Sequence, residues 1–270
     1  MKPGSFANNP TPIALMGMLT ELFKQLFSQL QSLLQGDVRP PEPKSNDLPL
    51  PQPRVQPAPD TTPVNKPKEP IPELSNKRNG AKPNNIWNGF RQGSKGNCVT
   101  VSAIKAAMAK FGQSPTDIYK SVEKVADAYK VVMRDGFALT LKESELDSAI
   151  RGADFVRMND REMLKDAHFL FACSAKRAQI ENNDGFANRS FDAAIRSLND
   201  REDESGPGEG LKRLGLKDHM QRVSARDLAD RSLIGMVNRR GHSVAVVDGS
   251  EEYYGRRGGR PTGGQAIALV

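Results

Sequence analysis

Leucine and phenylalanine residues recur at helical spacing near the start of the chain, between two polar segments. Leu19, Leu22, Leu26, Leu30 and Leu33 mark one face of a helix predicted over residues 13–35, behind a polar tip at residues 1–12. Gly36 ends the helix, and no neighbouring apolar segment offers it a partner. The helix must therefore dock, either on its own domain or a second copy, or on a secretion chaperone, a membrane interface or another partner. Both interpretations stay open.

A second pattern change divides the rest of the chain into a linker and a domain. Residues 37–83 carry a proline every few positions and almost no apolar periodicity, which predicts an extended, disordered linker. Residues 84–270 have a globular composition. The predicted organisation is therefore residues 1–36 as a polar tip and amphipathic helix for secretion or docking, residues 37–83 as a linker, and residues 84–270 as one domain.

Within residues 84–270 the apolar pattern is helical first and strand-like last. It predicts helices over residues 99–111, 115–129, 143–151, 160–180 and 191–198, and a short helix over residues 225–231. Apolar runs predict strands over residues 233–237, 243–247 and 266–270. This order predicts an α+β fold, with a helical subdomain followed by an antiparallel β subdomain.

Composition narrows the partners and the compartment. The net charge is +7, but 39 basic and 32 acidic residues are interspersed, so we do not expect a nucleic-acid partner. The sequence has no apolar run of about 18 residues and no ordinary secretory signal, which predicts no transmembrane segment. Because it has only two cysteines, Cys98 and Cys173, a disulfide framework is excluded and synthesis in the reducing cytoplasm is expected.

The segment before Cys98 carries the first candidate for chemistry. Gly93 and Gly96 bend a loop that delivers Cys98 to the first residue of a predicted helix. Unpaired N–H groups at a helix start favour a thiolate, the form of cysteine that acts as a nucleophile. Gln92 has a side-chain amide able to complete an oxyanion hole with the Cys98 N–H. Taken alone, Cys98 is more typical of a small buried residue at a helix start than of a nucleophile.

The second candidate is His242, which follows Gly241 and opens an apolar strand. A strand fixes the backbone while the imidazole faces the cleft, and the ordinary pKa of histidine suits a general base near neutral pH. The other residues of the same types have simpler interpretations. His168 and Cys173 lie in one apolar helical run and are predicted to be buried, and His219 is predicted to lie in a charged loop.

These residues resemble a known active-site signature. The run Gln92-Gly93-x-x-Gly96-x-Cys98, with a helix after it, and the Gly241-His242 strand resemble the papain-like and calpain-like cysteine peptidases. Val99 stands where those families usually have an aromatic residue. The resemblance implies a papain-like cysteine protease fold, with Cys98 as nucleophile, His242 as base and Gln92 in the oxyanion hole. Family members orient the base with an Asn or Asp on the next strand; here residues 250–265 contain neither, which leaves the Gln265 amide as the candidate. A Cys98/His242 dyad, or orientation of the imidazole by water or a backbone carbonyl, also stays open.

The resemblance also implies a function for the whole chain. A peptidase of this kind cuts protein substrates and needs no metal or organic cofactor. The order of tip, helix, proline-rich spacer and enzyme-like domain resembles bacterial type III secretion effectors, which enter a host cell by a non-Sec route. Two alternatives stay open: transfer of the acyl group to an amine, as in transglutaminase-like relatives, and a non-catalytic binding or translocation-helper protein.

Overall fold

The computed structural model of the chain describes residues 71–201, 206–231 and 233–270. The amphipathic helix predicted over residues 13–35 and the first part of the predicted linker, residues 37–70, lie outside the described residues. In the described part, no helix is both long enough and apolar enough to cross a membrane.

The described chain contains seven α-helices and eleven β-strands. The helices are α1 Cys98–Phe111, α2 Pro115–Ile118, α3 Glu143–Ala153, α4 Arg161–Glu181, α5 Phe191–Ser197, α6 Glu209–Arg213 and α7 Ala225–Asp230. The strands are β1 Phe90–Arg91, β2 Ser121–Val125, β3 Ala128–Val132, β4 Ala138–Lys142, β5 Val156–Arg157, β6 Met220–Val223, β7 Gly235–Arg239, β8 His242–Val247, β9 Ser250–Tyr253, β10 Arg256–Arg257 and β11 Gln265–Leu269. Short 3₁₀ turns occupy Asn183–Gly185, Ala187–Arg189 and Lys217–His219.

The largest sheet has six strands in the order β10-β9-β8-β7-β11-β6, and every neighbouring pair is antiparallel. One face of this sheet, which includes Met236, Ala245 and Val247, joins the main core around α1. The other face, which includes Val244 and Val246, packs on α7. The sheet therefore has apolar side chains on both faces, which explains why β8 reads as a continuous apolar run.

Helix α1 is the centre of the domain. It packs against β7, β8, α4 and α6, and its residues from Cys98 to Ala109 are all buried. A helix that is apolar on all sides needs such surroundings, because water-facing positions would be unfavourable. Gly210 lets α6 approach closely, since an added Cβ would lie 2.6 Å from the Val99 carbonyl oxygen.

A second sheet replaces most of a predicted helix. The helix predicted over residues 115–129 ends at Ile118, and strands β2, β3 and β4 follow as an antiparallel meander. In Ser121–Val125 only Val122 is buried, and pairing with β3 along all five residues makes the segment a strand. The expected division into a helical half and a later β half is therefore wrong in this region. The coarser expectation is confirmed: the described chain mixes helices with antiparallel sheets.

The domain also begins earlier than residue 84. Leu74 and Ser75 are buried, and the Ser75 N–H donates to the Asp166 carboxylate across 2.9 Å. Gln113 donates a second hydrogen bond to the same carboxylate. Burial nevertheless raises the pKa of Asp166 to about 6. Residues 71–83, predicted as linker, thus include a segment that is packed on α4.

Candidate active site

The thiol of Cys98 lies in the first turn of a 14-residue helix. Its side chain is buried, with 7% of the residue exposed. Asn97 precedes the helix, and its carbonyl oxygen accepts a hydrogen bond from the Val101 N–H. The Asn97 side chain does not cap the helix, so it leaves the first N–H groups of α1 uncapped by that amide. A negative charge on Cys98 would be stabilised by this end of the helix.

The loop before Cys98 is fixed by hydrogen bonds to two other segments. The Asp154 carboxylate accepts from the N–H and the hydroxyl of Ser94, at 2.6 and 2.8 Å. These bonds lower the pKa of Asp154. The amide of Asn97 donates to the Ala153 carbonyl and to the Asn199 side chain, both at 2.8 Å. The end of α3 and the residues after α5 therefore hold the loop from both sides.

The two glycines of this loop are required by close packing. An added Cβ on Gly93 would collide with the carbonyl oxygen of Asp154. An added Cβ on Gly96 would lie 2.7 Å from the Arg201 side chain and 3.1 Å from the Asn199 carbonyl oxygen. Gly96 also exchanges backbone hydrogen bonds with Asn199 and Arg201. The glycine spacing that suggested an active-site loop thus has a structural cause within the described domain.

Gln92 turns its amide into this same loop. Its Nε2 donates to the Lys95 carbonyl oxygen across 2.5 Å. A glutamine amide carries two N–H groups, so this bond leaves one more donor for another acceptor. This bond holds the Gln92 side chain against Lys95, which stands three residues before Cys98.

His242 is the first residue of β8 and is half-buried. Its ring stacks on the ring of Tyr254, with centroids 5.3 Å apart and planes within 9°. Burial lowers the pKa of His242, and the charge of Arg239 lowers it further, whereas the carboxylates of Glu252 and Glu251 oppose the shift. The imidazole is therefore neutral near pH 7, the form that accepts a proton.

A buried ion pair shows how α1 lies on the sheet. The Lys105 ammonium group contacts the Glu252 carboxylate at 2.9 Å and donates to the Trp87 carbonyl at 3.0 Å. Burial lowers the pKa of Lys105, and the Glu252 charge opposes that shift. Because β9 pairs antiparallel with β8, Glu252 lies near the middle of β8. Lys105, in the middle of α1, therefore lies level with the middle of that strand.

A cavity at the C-terminal end of α1 indicates the direction in which the helix runs along β8. Ala109, near the end of α1, and Val247, the last residue of β8, line the same cavity of about 390 Å³. Helix α1 and strand β8 therefore run in the same direction. Their starting residues, Cys98 and His242, are then expected at the same end of the helix-on-sheet unit.

The side chain of His242 does not point to the face of the sheet that α1 and Cys98 cover. In the β7–β8 register Asn238 lies opposite Ser243, and Arg239 lies opposite His242. Ser243 alternates with His242, and it shares the α1-facing side with Ala245 and Val247. His242 shares its side with Val244, toward α7. The Asn238 amide donates to the Ser243 hydroxyl at 3.0 Å, and both residues are buried on the α1 side.

Gln265 lies far from the place that its predicted role requires. It starts β11, where it is exposed and pairs with Asn238 of β7. One whole strand therefore separates it from β8, and the register assigns it to the face opposite His242. The interpretation of Gln265 as the residue that orients His242 is contradicted by this register.

The sequence analysis missed three side chains near the site, those of Lys105, Glu252 and Tyr254. Lys105 interrupts the apolar residues of α1, and a lone lysine there signals a buried partner, which is Glu252. Tyr254 stacks on His242, and its backbone is left-handed, with φ of 46°.

Two residues outside the site were predicted to be buried. Cys173 is fully buried as expected, and burial strongly raises the pKa of its thiol. His168, predicted to be buried, is partly buried, and its ring stacks on Phe155.

Known proteins supply no further guide to the site. Comparison of the chain with protein-family models, with curated proteins and with solved structures gives no match. A functional proposal for Cys98 and His242 therefore has to come from their own surroundings.

Proposed function

We propose that the domain is a cysteine-nucleophile hydrolase of papain-like architecture, most simply a peptidase, that uses Cys98 and His242. One observation carries the proposal: the buried helix that starts at Cys98 runs along β8 in the same direction, so its start lies at the His242 end of the strand. The anchored loop before Cys98 supports it, because a nucleophile must be held in a fixed position.

The proposed reaction begins with transfer of the thiol proton from Cys98 to the neutral imidazole of His242. The thiolate attacks the carbonyl carbon of the substrate amide, and the Cys98 N–H with the second N–H of Gln92 stabilises the oxyanion. The imidazolium protonates the departing amine, and water then hydrolyses the thioester. The same intermediate serves acyl transfer if an amine replaces water, which is the transglutaminase-like alternative.

This mechanism makes one structural demand. His242 leaves β8 on the face toward α7, so its ring has to reach the Cys98 side around the end of the strand. The residue before it, Gly241, has a φ of 79° and lies in a turn where an added Cβ would meet nothing within 4 Å. A turn of this kind permits the strand start to rearrange so that the ring reaches Cys98 in the substrate-free protein.

The test is the pH dependence of Cys98 alkylation by iodoacetamide. The full chain with Cys173→Ala is compared with the same protein carrying His242→Ala, and His219→Ala is the matched histidine control. We expect labelling to reach half its maximal rate well below about pH 8.5, the ordinary value for a free thiol, and to slow about tenfold or more in His242→Ala. An ordinary thiol profile that is unchanged by His242→Ala would refute the proposed pair.

The register of His242 favours a second candidate, a non-catalytic binding protein. In that case the imidazole stays on the α7 face, stacked on Tyr254, and Cys98 is a buried structural thiol. The same labelling experiment separates the two functions, since this candidate requires an unreactive Cys98. Delivery through the segment before residue 71, by secretion into a host cell, is part of the proposal and rests on the sequence pattern.

A further inference from the structure

A basic cavity lies beside the loop that delivers Cys98. It has a volume of about 490 Å³ and is open to solvent. The last residues of α3, the helix α5 and Lys95 of the loop form its walls. Its polar side chains are those of Lys95, Ser148, Arg151, Asp192, Arg196 and Asn199.

The charges in this cavity are unbalanced. Lys95, Arg151 and Arg196 supply three positive charges, and Asp192 supplies the single carboxylate. Among the described residues, no carboxylate forms an ion pair with these three cations, and the only side-chain hydrogen bond that one of them donates runs from Arg151 to the Ser148 hydroxyl, at 3.2 Å. Three like charges that line one cavity favour an anion there.

The floor of the cavity is rigid and is connected to the nucleophile loop. The Asn199 amide donates to the Gly152 carbonyl at 2.9 Å and its oxygen accepts from Asn97, the residue before Cys98. Gly152 is in contact with α5, because an added Cβ would lie 2.5 Å from the Ile195 side chain. Lys95 stands three residues before Cys98, and its carbonyl is bonded to Gln92. A ligand in the cavity would thus lie against the structure that positions Cys98.

We propose that this basic cavity is a specificity subsite for the carboxylate of an acidic residue, Asp or Glu, in the peptide substrate. Guanidinium groups bind carboxylates through paired hydrogen bonds, and the serine hydroxyl and the asparagine amide add neutral contacts. A peptide is favoured over a free anion because Lys95 of the cavity wall belongs to the loop that ends at Cys98, and Asn199 of the cavity is hydrogen-bonded to Asn97 of that loop. The subsite rests on the proposed hydrolase function, which it deepens.

The experiment measures peptide binding to the full chain with Cys98→Ala, so that no cleavage occurs. A fluorescent peptide with several Asp and Glu residues is compared, by fluorescence polarisation, with the peptide in which Asn and Gln replace them. We expect the acidic peptide to bind at least tenfold more tightly at low salt. Arg151→Gln and Arg196→Gln should each weaken it about fivefold. Arg226→Gln, on the exposed side of α7, removes the same charge elsewhere and should leave binding unchanged.

Two outcomes would overturn the subsite. Equal affinity for the acidic and the amide peptide would show that the cavity does not select for carboxylate groups. Displacement of the acidic peptide by inorganic phosphate at comparable concentration would assign the cavity to free anions. Iodoacetamide labelling of Cys98 is measured separately, so the two failures are distinguishable: loss of charge selectivity removes the subsite alone, whereas an unreactive Cys98 beside intact acidic-peptide binding refutes the hydrolase.

Discussion

The surroundings of Cys98 and those of His242 differ in how firmly they hold the side chain. The loop before Cys98 is fixed by hydrogen bonds that Ser94 donates to Asp154 and that Asn97 donates to Ala153 and Asn199, next to the ends of two helices. The His242 ring is held by its strand and by a stack on Tyr254, and none of the described residues is hydrogen-bonded to it. This contrast fits the proposed enzyme, in which a rigidly held Cys98 would be met by a more adjustable His242.

The two regions are joined through the buried Lys105–Glu252 pair. Lys105 belongs to the helix that starts at Cys98. Burial lowers the pKa of His242, and the Glu252 charge opposes that shift. Glu252 also accepts from the Gly255 N–H, the residue after Tyr254. This pair therefore fixes the position of helix α1, which starts at Cys98, along strand β8, which starts at His242.

The largest effect is expected from breaking that connection. Lys105→Met leaves the Glu252 carboxylate buried without its cation, which should lower the free energy of unfolding by about 3–5 kcal/mol. The double variant Lys105→Met with Glu252→Gln removes both charges and should recover a large part of the loss. Urea unfolding followed by circular dichroism measures both.

The matched control for Lys105 is Lys124, whose ion pair with Glu143 is exposed. Lys124→Met should cost no more than about 1 kcal/mol, because water already screens that pair. A Lys105→Met protein as stable as Lys124→Met would show that the buried pair does not fix α1 on the sheet.

A smaller loss of unfolding free energy is expected from a substitution at Gly93, where the loop before Cys98 is tightly packed. Gly93→Ala forces a Cβ onto the Asp154 backbone, and relief of that collision should cost about 1–3 kcal/mol. Gly259→Ala is the control, since its added Cβ meets nothing within 4 Å and its φ is not in the left-handed region. The unfolding midpoints in urea should fall for Gly93→Ala alone. An equal fall in both variants would mean that the loop is less tightly packed than the structure indicates.

The sequence could predict the features that depend on local signals, but not those that depend on contacts between distant segments. Helix starts and buried strands have strong local signals, so the beginning of α1 at Cys98, the cap at Asp160 and the strand after Gly241 were predictable. The β2–β4 meander was missed because its short segments also fit a helical pattern, and only pairing between strands decides between the two. Local periodicity carries no information on such pairing.

The site shows the same limit. The Gln92 to Cys98 spacing located the loop, but the sequence could not show that the Gln92 amide bonds Lys95. Gln265 was chosen by elimination along the chain, whereas its place in the sheet depends on the register of β7 and β11. Lys105 and Glu252 are far apart in sequence, and their pairing follows from the packing of α1 on the sheet.

The smallest predicted effect concerns the titration of His242. Its pKa is lowered in the folded domain, so below about pH 6.5 the unfolded chain binds a proton first, and the free energy of unfolding falls as the pH drops through that window. NMR titration of the ring protons should give a midpoint below about 6.5 in the folded protein.

Two variants make this titration decisive for the pairing of Cys98 with His242. Arg239→Gln removes a repelling charge and should raise the midpoint by a few tenths of a pH unit, which shows that the assay detects the neighbours of the ring. Cys98→Ser should lower the midpoint if a thiolate at Cys98 stabilises the imidazolium, because that charge would be lost. A midpoint that responds to Arg239→Gln and is unchanged by Cys98→Ser would place the imidazole on the α7 face in the resting protein. The base would then have to move before it could take a proton from Cys98.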